Sequence, residues 1–304
     1  MSLVRATIRV MRRVNPPMVL VLVAVLFSAP PIGGLSASGE DVVFVGAGDI
    51  GTCDGTDDDR TGRLLDAIPG TVFTAGDNAY ESGTPEEFAR CYDPAWGRAK
   101  DRTRPVPGNH EYTRPGADGY YEYFGPAAGE RGVGYYSYDL GEWHIIALNS
   151  NCAVVSCAAG SPQYVWLEHD LASHPARCTL AYFHHPRFSS GRRYGSTLAT
   201  RPFWELLYKY GADVVISGHE HNYERFAPQT PDGVLDRARG IREFVVGTGG
   251  ALPYGFAAPI ANSEVRETGS FGVLKLVLHR NSYQWQFIAV PGDRFTDAGW
   301  DLCH

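Results

Sequence analysis

Residues 71–80 read TVFTAGDNAY. Thr71, Val72, Phe73 and Thr74 suit a buried strand, and Gly76 breaks the run. Asp77, Asn78 and Tyr80 then stand where a parallel strand would leave its sheet, and ligands of open α/β sheets sit at such carboxyl ends. Taken alone, Gly-Asp-Asn is better read as an Asx turn. The reading changes because the same design recurs along the chain.

Working outward, Val42–Ala47 reads as a strand ending in Gly48-Asp49-Ile50-Gly51. An extended piece at 105–107 ends in Gly108-Asn109-His110-Glu111. A strand at 179–183 ends in His184-His185-Pro186, and one at 213–217 ends in Gly218-His219-Glu220-His221. Helices are expected over Asp57–Ala67, from Ser161-Pro162 to Ser173, and over 201–210. Another opens at Thr84-Pro85, with Glu87 placed for a capping box. A hairpin over 135–140 and 143–149 turns at Gly141, and 244–246, 271–278 and 283–290 alternate as antiparallel strands do. Residues 112–134, rich in Gly and Tyr and without a clear period, read as a long surface excursion, with the Tyr120–Tyr123 cluster as its anchor.

Strand–crossover–strand order makes neighbouring strands mostly parallel. It would collect Asp49, Asp77 with Tyr80, Asn109 with His110, His184, and His219 with His221 at one rim of the sheet. Turns alone do not account for five strand ends that all offer oxygen or imidazole. His219 and His221, two apart on an extended segment, would point the same way roughly 7 Å apart. That suits two ions about 3.5–4 Å apart, one per imidazole, with a carboxylate bridging them. The donor set is long enough for two metals and too long for one.

Composition narrows the partners. The chain has 304 residues; Arg5, Arg9, Arg12 and Arg13 precede an apolar run at 19–27, and small residues Ser36, Ala37 and Ser38 follow. Residues 1–38 therefore read as a secretory signal, cleaved or kept as an N-terminal anchor. With no linker or composition break, 39–304 reads as one catalytic domain carrying a net charge of −11. Such a surface repels nucleic-acid duplexes and acidic lipids, so no stable membrane insertion is expected either. Cys53, Cys91, Cys152, Cys157, Cys178 and Cys303 behind a signal favour disulfides over metal thiolates. The close pair Cys152–Cys157 would leave Cys53–Cys91 and Cys178–Cys303, one pairing among the fifteen possible.

In order, Gly48–Gly51, Gly76–Tyr80, Gly108–Glu111, His184–Pro186 and Gly218–His221 resemble the motifs of calcineurin-like metallophosphoesterases, and among them the purple acid phosphatases. Gly51 stands where most of the wider superfamily has a histidine, and Tyr80 takes over, as in the purple group. The resemblance implies an α/β fold of two packed mixed β-sheets flanked by helices, a four-layer sandwich. It implies a first metal, Fe(III), at Asp49, Asp77, Tyr80 and His221. A second, divalent iron, zinc or manganese, would sit at Asp77, Asn109, His184 and His219, with Asp77 bridging. The implied reaction is in-line attack of a metal-bound hydroxide on a phosphate ester. His110 would contact the phosphate and protonate the leaving oxygen, or else serve only as a supporting hydrogen-bond partner.

The resemblance departs in two places. Plant-type relatives carry further histidines after the His-x-Pro motif, where this chain has Arg192 and Arg193, candidates to grip a substrate phosphate or a solvated pair. The chain also lacks room for the plant enzymes' N-terminal β-domain, so pH optimum and substrate preference do not carry over. A phosphomonoesterase acting on small organic esters is the leading reading; a phosphodiesterase or nucleotidase on the same metals, and a non-enzymatic metal-dependent module, are the others. Of the remaining polar residues, Glu111 and Glu220 are candidates to orient metal-binding imidazoles, His185 to support or line the site, and His144 to face outward on its strand.

Overall fold

A computed structural model describes residues 41–304, so the expected leader at 1–38 lies outside the described residues. The first βαβ units follow the sequence pattern: β1 (Val42–Ala47), α1 (Asp57–Ala67), β2 (Thr71–Ala75) and, after a helical run from Pro85, β3 (Thr103–Val106). Thr84 and Glu87 form the expected capping box, each side chain accepting the other's backbone N–H. Residues 112–134 are not an irregular excursion. They contain α2 (Asp118–Phe124), whose Tyr120, Tyr121 and Phe124 are buried in the core. Gly119 and Gly125 interrupt the pattern around this helix, and aromatic burial stabilises it instead.

A hairpin, β4 (Tyr136–Leu140) and β5 (Trp143–Ala147), leads to α3 (Pro162–Ser173), β6 (Cys178–Tyr182), α4 (Arg201–Lys209) and β7 (Val214–Ser217). Then come β8 (Tyr223–Phe226), β9 (Arg242–Val246), β10 (Ser263–Glu267), β11 (Gly272–Leu278), β12 (Ser282–Ala289) and β13 (Ala298–Leu302). The strands form two mixed sheets, one ordered β13-β12-β11-β1-β2-β3 and the other β10-β8-β9-β7-β6-β5-β4. The parallel pairs are β1–β2, β2–β3, β5–β6, β6–β7 and β7–β9.

Period-two alternation sorts the apolar residues into layers. Val214 and Ile216 of β7 join the core between the sheets, where Phe44, Phe73 and Tyr182 meet with ring centroids 4.8–6.1 Å apart. Val215 faces the other way, into a second core with Leu167 and Leu171 of α3 and Phe203, Trp204 and Leu207 of α4. The result is the four-layer α/β sandwich. It also corrects one expectation, because the five strand ends belong to two facing sheets and not to one rim. Asp49, Asp77 and Asn109 follow β1, β2 and β3, while His184, His219 and His221 follow β6 and β7.

Disulfides join Cys53 to Cys91, Cys152 to Cys157 and Cys178 to Cys303, with Cα–Cα distances of 4.8, 5.0 and 5.4 Å. The last ties β6, an interior strand of one sheet, to Cys303, which follows edge strand β13 of the other. Among the described residues, no helix is long and apolar enough to cross a membrane.

Candidate metal centre

The sandwich brings the seven expected donors together. Around one point, the Tyr80 hydroxyl lies 3.0 Å from Asp49 Oδ1, 3.3 Å from Asp77 Oδ2 and 3.1 Å from His221 Nε2. Around a second, His184 Nε2 lies 3.0 Å from Asn109 Oδ1, 3.1 Å from His219 Nδ1 and 3.2 Å from Asp77 Oδ2. Asp77 Oδ2 belongs to both groups. Two donors at right angles about 2.1 Å from a common ion lie ~3.0 Å apart, so these spacings are those of a coordination shell.

Four of the seven donors are aimed by hydrogen bonds to the backbone. The second oxygen of Asp49 accepts the His219 N–H at 2.8 Å, and that of Asp77 accepts the His110 N–H at 2.8 Å. His184 and His221 donate their Nδ1–H to the carbonyls of Ala75 and Leu252, both at 2.8 Å, leaving Nε2 free to face the site. Asp49, Asp77 and His219 hold positive φ of 60°, 48° and 71°. Non-glycine residues in that region are strained and cluster where a side chain must be aimed. The motif glycines answer to crowding. A methyl group at Gly108 would overlap Asp77 Oδ1, and one at Gly218 would lie 2.6 Å from Asp49 Oδ2.

The electrostatics fit cations as well. Burial works against a charged imidazole at His184, yet Asp77 overrides it and pushes His184 up to about 9. Burial would raise Asp77, but the His184 and His110 imidazoles hold it well below the usual carboxylate range. Burial, with the Asp49 and Asp77 charges, pushes the Tyr80 phenol well above its ordinary value. A proton on His184 thus supplies positive charge between donors that otherwise oppose one another, and a phenolate at Tyr80 requires a cation beside it. The residues present fit two metal ions.

The family model that matches residues 42–223 is that of the calcineurin-like phosphoesterases. The chain belongs to that family. Arabidopsis thaliana purple acid phosphatase 23 is 31% identical over 66% of this chain and 50% of its own length. Purple acid phosphatase 15 of the same plant is 28% identical over 66% of this chain and 43% of its own. The chain therefore spans about half the length of the curated relatives it matches. A solved purple acid phosphatase from yellow lupin (Lupinus luteus) seeds has the same fold, with a TM-score of 0.69 at 22% identity over 86% of this chain and 54% of that one.

Beside these seven donors, the other expected site residues separate. His110 donates Nδ1–H to the Glu81 carbonyl at 2.7 Å and points Nε2 to within 3.9 Å of Asp77 Oδ2, with its ring 4.4 Å from that of Tyr80. His185 lies beside the second group, its Nδ1 2.9 Å from Ser150 Oγ and its ring 4.5 Å from that of His219. Arg193 is exposed, with its guanidinium 5.6 Å from the Tyr194 ring and 5.5 Å from the Tyr254 ring. Arg192 turns away, its Nε donating to the Phe256 carbonyl at 3.2 Å.

Glu111 and Glu220 do not orient imidazoles, contrary to expectation, because backbone amides occupy their carboxylates. Glu111 accepts the N–H of Asn78 and Gly108, each at 2.7 Å, and of Ala79 at 3.2 Å, stitching the second and third motifs together. Burial and the Asp77 charge push it up to about 7 against the pull of those amides. Glu220 accepts the N–H of Tyr194 and Gly195. Two more buried acids do the same for the loop after His-x-Pro. Glu243 takes the N–H of Arg187 and Phe188, and Glu224 that of Ser190. His144 also breaks expectation. It is buried, with Nδ1 2.9 Å from Asp139 Oδ1 and Nε2 2.9 Å from Asp170 Oδ2. Sequence reasoning missed Glu224, Glu243, Tyr194 and Tyr254; only Glu224 carried a signal, lying in the Tyr-Glu-Arg run after Gly218–His221.

Proposed function

We propose that this chain is an exported two-metal phosphomonoesterase that releases inorganic phosphate from small organic esters. One observation carries the reading: seven donors fall into two groups that share Asp77 Oδ2. Asp49, Asp77 and Tyr80 would supply anionic oxygens beside the His221 imidazole and suit Fe(III), while Asp77, Asn109, His184 and His219 suit divalent iron, zinc or manganese. When bound, two cations neutralise phosphoryl oxygens and lower the pKa of a water to near neutrality.

The chain's own side chains set the rest. Amide donors and carbonyl acceptors hold Asp49, Asp77, His184 and His221 in one orientation, so binding an ester requires little rearrangement. The Glu81 carbonyl accepts the His110 Nδ1–H and directs Nε2 toward the site, so that His110 as the imidazolium, with its second proton on Nε2, would donate to a phosphoryl oxygen and give that proton to the departing alkoxide. Arg193 puts a cation at the mouth, and Arg192 does not take part. Three disulfides support an oxidising compartment, and the net charge of −11 over 39–304 supports a small substrate over a nucleic-acid duplex.

Turnover of an aryl phosphate monoester compared with its diester tests the reading, and the monoester is expected to be preferred at least tenfold. A preference for the diester would replace it with a phosphodiesterase on the same donors. A visible absorption band lost in Tyr80→Phe is expected of the ferric assignment. A colourless, fully active protein holding only zinc or manganese would overturn that assignment alone.

A further inference from the structure

Two tyrosines, Tyr194 exposed and Tyr254 half-buried, stand outside the donors. The Tyr194 ring lies parallel to the His219 imidazole, with centroids 4.1 Å apart and planes at 22°. The Tyr254 ring lies parallel to His221, at 3.9 Å and 12°. Each tyrosine thus extends one metal-facing imidazole outward, one for each donor group. The two rings meet edge to face at 6.0 Å, and Arg193 sits over both. Tyr194 is 48% exposed and Leu252, beside Tyr254, is 80% exposed, so this aromatic corner opens to solvent at the mouth of the site.

The corner is braced as a binding surface would be. Glu220 grips the N–H of Tyr194, and the Tyr254 N–H donates to the His221 carbonyl at 2.9 Å. The two loops also bond to each other, Arg192 N–H to the Gly255 carbonyl and Ala257 N–H to the Ser190 carbonyl, both at 2.9 Å. Side chains that served only to fill space would be buried; these are held rigid and left half open. Rigid exposed tyrosines give contact area at low entropic cost, and flat rings prefer offset or edge-on aromatic partners. A guanidinium over the rings adds positive charge where a leaving group departs as an anion.

Resting on the phosphomonoesterase reading, we propose that Tyr194, Tyr254 and Arg193 form a leaving-group subsite that selects phosphate esters of planar aromatic groups. Two sources share that chemistry, phenolic esters and nucleoside monophosphates. The corner is a specificity determinant and takes no part in bond breaking.

The test compares phenyl phosphate, a nucleoside 5′-monophosphate and glycerol 3-phosphate in the metal-loaded wild type, in Tyr194→Leu/Tyr254→Leu and in Tyr194→Phe/Tyr254→Phe, with metal content measured in each. In the leucine variant, the kcat/KM ratio of the preferred aromatic ester to glycerol 3-phosphate falls about tenfold, the scale of one or two aromatic contacts. The phenylalanine variant keeps the ratio. Whichever aromatic ester loses more identifies the source. If aromatic and alkyl esters fall together, or metal content falls with them, the tyrosines only buttress the imidazoles and the proposal is overturned. Calorimetric binding of phenylphosphonate against methylphosphonate gives the same comparison without turnover. A wild type that hydrolyses none of the esters yet prefers phenylphosphonate would sink the hydrolase reading and leave the subsite standing.

Discussion

Two buried histidine–carboxylate clusters differ in which atoms face each other. In the ion pair at the edge of the seven-stranded sheet, each nitrogen of His144 meets a carboxylate oxygen, from Asp139 or Asp170, at 2.9 Å. His174 stacks on His144 at 4.8 Å and 11°, and its Nδ1 lies 3.3 Å from the other oxygen of Asp170. In the candidate metal centre several atoms crowd one point instead: Asn109 Oδ1, His219 Nδ1 and Asp77 Oδ2 lie within 3.2 Å of His184 Nε2, and Asp49 Oδ1, His221 Nε2 and Asp77 Oδ2 lie within 3.3 Å of the Tyr80 hydroxyl. Proximity is the same in both. Lone pairs crowded around one point, more than one shared hydrogen can satisfy, are what suit a cation, whereas His144 pairs each nitrogen with its own carboxylate.

Exchanging a side chain in each cluster tests that contrast most strongly. Asp77→Asn removes the shared carboxylate, and kcat for an aryl phosphate should fall at least ~10³-fold with loss of bound metal. His144→Gln should leave kcat within about twofold but destabilise the protein by ~3 kcal/mol in urea unfolding, because the buried Asp170 loses its charged partner and keeps only Ser137 and His174 on its other oxygen. Equal effects on turnover would erase the distinction. Gly108→Ala sharpens it by crowding Asp77 without replacing a donor, and a 10–100-fold loss of kcat is expected.

The ion pair also has a pH signature. At His144 burial lowers the imidazole, but Asp170 and Asp139 outweigh it and raise it above 6.5. Burial raises Asp170, and His144 and Ser137 outweigh that and hold it below 3.8. The pair's stabilisation is therefore complete between pH 3.8 and 6.5. It declines as His144 loses its proton above that window and as Asp170 gains one below it. Urea unfolding across pH should show this dependence in the wild type and lose it in His144→Gln. The smallest effect is expected for Glu220→Gln. Both loop amides bond to Oε1, which a glutamine carbonyl replaces, so kcat should change by no more than about threefold.

The sequence makes the strand ends legible because each combines a short apolar run, a glycine and a polar donor, all local signals. What it hides is set by tertiary contact. The split of those ends between two sheets depends on which strands pair across β1–β11 and β7–β9. Edge strand β10 (SEVRE) carries no alternating apolar pattern, and edge strand β13 (AGWDL) is too short to stand out, its alternating Ala298, Trp300 and Leu302 lying on an exposed face. α2 went unread because its seven residues are too few to show a period and are held by burial of Tyr120 and Phe124. His144 was expected outside because strand alternation does not reveal that α3 covers its face with Asp170. Tyr254 has no motif around it, and only its stacking on His221 brings it to the site.

Metal stoichiometry of the purified chain, measured by elemental analysis with turnover followed during chelation and reconstitution, tests the account most directly. Two ions per chain are expected, with activity lost on chelation, restored by their return, and absent from Asp77→Asn along with both ions. Full turnover from a chain holding one ion or none would contradict it.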